Sequence, residues 1–367
     1  MDFSYSDEQR MLADTLERLV ADQAPTENDA LPGEPSTLWG TFAELGLLQL
    51  PFTEEVGGLG GDGIDVMIVM QALGRGLVRE PYLAGLLLPG TLLASLADAP
   101  QQERWLTPLL AGELRLALAW QEAAARHDAH AITTRAHRQS NGWLINGAKQ
   151  VVLAADSATA LLVTARIDDG TLAVFLVPAD TPGLERSDYP TLDNQAASDV
   201  QLKDVVLSHD ARLGEDAAEA LDKVLALGRA ALCAEAVGAM EVACEQTLAF
   251  LKERRQFGAP LASFQVLQHR MVDMHLHLEQ SRSMAILAAA SLERPADERD
   301  YRVAAAKAYC GEAARFVAEQ AIQLHGAMGM TEECRISHYA RHLVMFDHHL
   351  GDVDHHLEFV GERLSAA

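Results

Sequence analysis

The spacing of apolar residues changes period twice along this chain, and that change constrains the fold more than any other feature. Up to about residue 112 the period is helical: Leu12, Leu16, Leu19 and Val20 recur at helical spacing, and residues 64–78 and 84–98 are apolar-rich runs between glycine and proline punctuation. From Leu114 the period becomes two, which predicts Leu114, Leu116, Leu118 and Trp120 on one strand face. Short apolar runs follow at 143–145, 160–167, 172–177 and 199–207, with turn signals at Asn141-Gly142, Asn146-Gly147 and Asp168-Asp169-Gly170. After Leu213 the helical period returns in Ala-, Leu- and Glu-rich stretches at 216–255, 264–292 and 301–325. The expectation is an α+β chain in three parts: an N-terminal α domain at 1–112, a middle β domain at 113–212 and a C-terminal α-helical domain at 213–367. At 367 residues, two or three packed units are the natural arrangement.

Charge narrows the partners. With 53 acidic and 29 basic side chains the formal net charge is −24, which repels nucleic-acid backbones and anionic membrane surfaces while leaving room for a locally basic pocket. Cys233, Cys244, Cys310 and Cys334 form no CxxC pair and fit reduced thiols. The N-terminus shows no basic, apolar leader pattern, and no apolar run reaches the roughly 20 residues of a spanning helix. A cytoplasmic location is expected.

Four segments carry chemistry-bearing patterns. Gly58-Leu59-Gly60-Gly61-Asp62-Gly63 matches a dinucleotide-binding glycine pattern, but no strand precedes it, so it reads as a flexible surface loop between helices. Near the C-terminus His348, Asp352 and His355 would share a helical face, yet Gly351 interrupts it and no fourth ligand is present; a polar segment is expected, with no metal. Glu253-Arg254-Arg255-Gln256-Phe257-Gly258 ends a long helix, and Phe264-Gln265 starts the next; alone, this is equally a basic helix C-cap. Gln323-Leu324-His325-Gly326, followed by Gly329, closes another helix and would let a second group approach the backbone.

Taken together and in this order, these segments resemble the acyl-CoA dehydrogenase family. Further matching pieces are Phe3-Ser4 with Glu8-Gln9-Arg10, Leu45-Gly46-Leu47-Leu48, Glu54-Glu55-Val56-Gly57-Gly58-Leu59-Gly60-Gly61, Ile145-Asn146-Gly147-Ala148-Lys149 and Ala179-Asp180-Thr181-Pro182-Gly183. The resemblance implies that family's fold, with a middle β-barrel or sandwich and a C-terminal four-helix bundle. It also implies FAD as cofactor, an acyl-CoA thioester as substrate and an electron-transfer flavoprotein as electron acceptor. The segments Tyr189-Pro190-Thr191-Leu192-Asp193, Leu232 to Met240 and Phe346 to Leu357 are most similar to small subunits of heteromeric members. That points to a homologous larger subunit as partner, in a heterodimer or heterotetramer, and to a dicarboxylic or medium-length substrate such as pimeloyl-CoA.

In the family a glutamate removes the α-proton of the acyl-CoA while the β-hydride passes to the flavin. Counting from Gln323 through Gly326, Gly329 and Arg341 places Leu350 at that glutamate's position, and leucine accepts no proton. The alternative family position precedes a core arginine; here Arg229, a candidate substrate-side residue, follows Gly228. Gln121 to His127 stands where relatives carry Thr-Glu-Pro-Gly-x-Gly-Ser, with only Glu122 kept, and Val151-Val152-Leu153 replaces the Trp-Ile-Thr that holds the flavin ring. The groups that relatives give to a neighbouring subunit's flavin are present: Arg254, Gln256, Phe257, Gln265, Gln323 and Gly326. The expected function is therefore a flavin-lending subunit with no catalytic residue of its own. The alternatives are an autonomous enzyme with a displaced base, Asp352 or Asp347, and a non-enzymatic scaffold.

Overall fold

A computed structural model of the chain describes residues 5–23 and 38–366; the Phe3-Ser4 pair lies outside them. The first helices are α1 (Asp7–Gln23), α2 (Leu38–Glu44), α3 (Gly63–Gly76), α4 (Leu88–Leu96), α5 (Ala99–Gln101) and α6 (Thr107–Leu110). Helix α3 begins where Asp62 closes a capping box: its Oδ1 accepts the Ile64 and Asp65 amides at 2.8 and 3.1 Å, and Asp65 Oδ2 accepts the Asp62 amide at 2.8 Å. The glycine segment before it is a surface loop with no strand ahead of it, and its backbone is tied down. The amides of Gly58, Leu59, Gly60 and Gly61 bond back to Thr53, Gln49, Phe52 and Leu50, and a Cβ on Gly58 would lie 2.0 Å from the Phe52 carbonyl oxygen. Gly58 and Gly61 serve close backbone packing, whereas Gly60 supplies a positive φ of 72° beside open space.

Eight strands follow: β1 (Leu116–Ala119), β2 (Arg135–Gln139), β3 (Gly142–Leu153), β4 (Ala160–Arg166), β5 (Leu172–Pro178), β6 (Leu184–Pro190), β7 (Ala196–Leu207) and β8 (Arg212–Leu213). They form one sheet in the order β6-β7-β3-β2-β4-β5-β8, with β1 added in parallel to β4. Strands β3 and β5 are three strand spacings apart, about 14 Å along a flat sheet. Yet the Trp143 and Phe175 rings, one from each, meet edge to face with centroids 5.2 Å apart, so the sheet curls over its own apolar face. Strand β1 departs from the expected alternation, since Ala117 and Ala119 are as buried as Leu116 and Leu118; the alanines join the sheet's apolar core and helix α4 packs against the strand. Asn146-Gly147 is likewise no turn. It sits within β3 at a bulge, where Asn146 Nδ2 donates to Asp204 Oδ1 at 3.1 Å and Gly147 makes room for Thr134.

The chain then returns to helix: α7 (Ala218–Glu253), a short hairpin of β9 (Arg255–Gln256) and β10 (Ala259–Pro260), α8 (Gln265–Ala289), α9 (Ala296–His325), α10 (Arg335–His348) and α11 (Val353–Ala366). Contacts gather the chain into two compact units. One holds α1, α3 and everything from Arg229 onward; the other holds α2, α4 to α6 and the sheet through Gly228. Within the first unit α3 and α7 cross at reciprocal glycines: a Cβ on Gly74 would lie 2.0 Å from the Glu235 carbonyl oxygen, and one on Gly238 would lie 2.0 Å from that of Gln71. Helix α9 packs against α8, α10 and α11. Among the described residues no helix is long and apolar enough to cross a membrane.

Candidate functional site

Three segments far apart in sequence meet in the helical unit. Phe250, near the end of α7, stacks on His325 at the end of α9 with centroids 4.4 Å apart. The β9-β10 hairpin carries Phe257 edge-on to Phe264, immediately before α8, at 6.1 Å. Arg270 of α8 donates to Gln320 of α9 at 2.8 Å. These contacts group Arg254, Gln256, Phe257, Gln265, Gln323 and Gly326, and all six are exposed.

Within that group the backbone is under strain. Gln256 pairs with Ala259, so Phe257 and Gly258 are the two central residues of the hairpin, with φ of 53° and 79°. Positive φ at both positions is the signature of a type I′ turn, where asparagine and glycine are favoured. A phenylalanine there costs about 1–2 kcal/mol. Its ring is nonetheless 92% exposed. Among the described residues the Arg254 side chain has no ion pair or hydrogen bond, whereas Arg255 reaches the Gly258 carbonyl at 3.4 Å. Gly326 ends α9 at φ 65° and ψ −146°, a conformation reserved for glycine, and the space beside it is open.

The second region of interest is the connection between α10 and α11, which carries Leu350. Leu350 and Gly351 both have positive φ, 57° and 108°. The fully buried Lys307 ammonium donates to the Phe346 carbonyl at 3.0 Å and the Gly351 carbonyl at 2.9 Å, with Asp347 O at 3.5 Å. Arg229 Nε donates to the Leu350 carbonyl at 2.9 Å, and His356 Nε2 meets the same oxygen at 3.2 Å. Asp347 Oδ1 accepts the Val353 amide at 3.0 Å, and Asp352 Oδ1 accepts the His355 amide at 2.9 Å as it starts α11. His348 ends one helix and His355 lies in the next, so Gly351 interrupts the helical face that His348, Asp352 and His355 would otherwise share, in line with the sequence reading. Among the described residues no His, Cys, Asp or Glu cluster is placed to hold a metal ion. Lys307 and His356 were not singled out from sequence. The available signal was a lone lysine inside the alanine-rich run Val303 to Ala308.

In the sheet unit the polar centre is Glu122. Its carboxylate accepts Lys149 Nζ at 2.8 Å, the Thr133 and Thr134 amides at 2.7 and 3.1 Å, and both threonine hydroxyls. Burial alone would raise this carboxyl, but the Lys149 ammonium and the other donors bring it down to about 2. Burial pushes Lys149 down to about 8 against the pull of Glu122. Two residues further along β3, Val151 has φ 51° at a second bulge, with its amide donating to Asp199 Oδ1 at 3.2 Å. Val151 is 38% exposed, Val152 is buried and Leu153 half-buried.

Family models for the acyl-CoA dehydrogenase N-terminal, middle and C-terminal domains match residues 6–113, 117–205 and 218–365. The chain belongs to the acyl-CoA dehydrogenase family. It is 31% identical over 356 residues to the probable acyl-CoA dehydrogenase YngJ of Bacillus subtilis, covering 93% of each. Among solved structures it resembles the ChsE4-ChsE5 complex from Mycobacterium tuberculosis, with a TM-score of 0.89 at 25% identity over 100% of both chains. It also resembles PigA with FAD and proline, with a TM-score of 0.91 at 25% identity over 100% of this chain and 99% of that one. The three-part architecture is therefore that of an FAD-dependent acyl-CoA dehydrogenase.

The two ends of an FAD fare differently against the residues present. Its diphosphate suits the helix-end face, where an exposed arginine lacks a counter-ion among the described residues and a glycine leaves the space beside it open. Its ring does not suit β3. Neither Val151 nor Leu153 offers an aromatic face or a hydroxyl, and the Glu122 carboxylate is engaged by Lys149 and two threonines.

Proposed function

We propose that this chain is the flavin-lending subunit of a hetero-oligomeric acyl-CoA dehydrogenase, with the base and the ring pocket supplied by a homologous larger subunit. The observation that carries this is the contrast between an exposed, strained face with an uncompensated arginine and a base position occupied by Leu350. An FAD seated in the partner supplies the hydride acceptor. Arg254, Gln256 and Phe257, with Gln265, Gln323 and Gly326, are the residues of this chain that would hold its diphosphate end. Arg229 is assigned to the substrate side. The relative solved as the ChsE4-ChsE5 complex makes a two-component assembly a precedent within the fold, and PigA with FAD does the same for the cofactor.

The substrate proposed is a medium-length or dicarboxylic acyl-CoA. That follows the resemblance of residues 346–357 to the small subunit of pimeloyl-CoA dehydrogenase, with an electron-transfer flavoprotein as acceptor and the cytoplasm as the location. The reading with a displaced base fares worse. Asp352 is engaged as the cap of α11 and Asp347 is bonded to the Val353 amide, so using either as a base would dismantle the connection that holds Leu350.

The test is flavin stoichiometry and acyl-CoA oxidation by the chain alone and co-expressed with its partner subunit. Flavin and turnover are expected only in the complex, and Leu350→Glu should leave the isolated chain inactive because no ring is held at reaction distance. A yellow, active homo-oligomer would overturn the proposal.

A further inference from the structure

The α10-α11 connection gathers an unusual set of charges. Lys307 from α9 and Arg229 from α7 both donate to its carbonyls, and His356 from α11 lies against the Leu350 oxygen. Because a carbonyl only accepts, His356 Nε2 carries the proton in that contact, and Nδ1 is the site left for a second proton. The imidazole is 2% exposed and Lys307 fully buried. Among the described residues the titratable and charged groups near His356 include Arg229, Lys307, the neighbouring His355 and Asp352, whose carbonyl accepts the His356 amide at 3.1 Å; Asp347 of α10, Cys233 of α7 and Cys310 of α9 face Lys307. The Oδ1 atoms of the two nearby carboxylates are bonded to backbone, that of Asp347 to the Val353 amide and that of Asp352 to the His355 amide. Packing is equally tight. A Cβ on Gly351 would lie 2.5 Å from His356 Nε2, and one on Gly311 would lie 2.5 Å from Val353 Cγ2.

We propose that the connection from Phe346 to Val353 is a proton-released latch: a proton added to His356 places a further positive charge among Arg229 and Lys307, and the connection opens to let these groups reach water. Opening breaks the Leu350 carbonyl bond to Arg229, one of the contacts that position that side chain. The inference stands without the flavin-lending reading, since it uses only contacts inside this chain.

The sign follows from linkage. Burial first, and then the Arg229 and Lys307 charges, hold His356 down to about 2 in the closed state, whereas a hydrated histidine titrates near 6.5. The open state therefore binds the extra proton below about pH 6.5 and the closed state does not. Falling pH favours opening by about tenfold per unit across that window.

The experiment is amide hydrogen exchange on the full-length chain between pH 7 and 5, corrected for intrinsic rates, comparing the hydrogen-bonded amides of His349, Val353 and His355 with those of Leu161 to Val163 in β4. The expected result is opening of the connection that rises by at least about tenfold from pH 6.5 to pH 5 while β4 stays unchanged. His356→Gln, which keeps a donor toward the Leu350 carbonyl but cannot titrate, should remove the dependence to within about twofold. The same pH response in His356→Gln as in wild type overturns the latch. If that variant does not fold, the wild-type comparison decides alone, because a flat profile, or one shared equally with β4, overturns it.

Discussion

Two regions of the helical unit treat their polar groups in opposite ways. Around the α10-α11 connection the exposed chemistry is gone: Lys307, Arg229, His356, Asp347 and Asp352 each bond to backbone within the same few turns. At the ends of α7 and α9 the reverse holds. Arg254 has no partner among the described residues, Phe257 is strained and 92% exposed, and Gly326 faces open space. A folded chain rarely keeps a strained aromatic side chain in water without a reason outside itself. The difference teaches where to look for a ligand: the connection is closed on its own backbone, and the helix-end face is where the proposed partner's flavin would lie.

The largest expected effect falls on that face. Arg254→Ala should weaken FAD retention by the co-expressed complex about 10- to 150-fold, the worth of one charge-assisted hydrogen bond. Arg255→Ala, an equal charge change next door, should stay within about threefold. Dilution followed by flavin fluorescence measures both, and equal retention in wild type and the two variants would erase the distinction between the regions. Next comes the closed side. Gly311→Ala pushes a methyl toward Val353 and Asp347, at 2.5 and 2.8 Å, and should destabilise the isolated chain by about 1–3 kcal/mol in urea unfolding while leaving the complex's flavin affinity alone. A change in affinity without a change in stability would show that the connection, too, serves a ligand.

The smallest effect sharpens the comparison most. Phe257→Asn relieves the left-handed strain, so the isolated chain should gain roughly 0.5–1 kcal/mol of stability while the complex loses flavin. A variant that is destabilised instead would mean the ring contributes mainly by its contact with Phe264.

Much of this was legible in the sequence wherever a period or a turn residue acts locally. Helices 216–255, 264–292 and 301–325 were expected, and α7, α8 and α9 lie within a few residues of them, because 3.6-residue periodicity is a property of the chain itself. Strands β2 and β6 are not legible in the sequence: Arg-Ala-His-Arg-Gln and Leu-Glu-Arg-Ser-Asp-Tyr-Pro carry no apolar alternation, and pairing with β3 and β7 makes them strands. The β9-β10 hairpin hid for a different reason, since phenylalanine is a poor signal for a residue at positive φ.

By itself the sequence determined the α, β, α order and placed leucine, not a carboxylate, at position 350. Those facts follow from residue type and spacing alone. Only the tertiary structure decided that Asp347 and Asp352 are engaged, that Lys307 and His356 close the connection, and that Phe250 and His325 bring two helix ends into one face. Each of those depends on which groups lie within bonding distance across segments far apart in sequence, and hydrogen bonding and burial are fixed by that proximity rather than by the order of residues along the chain.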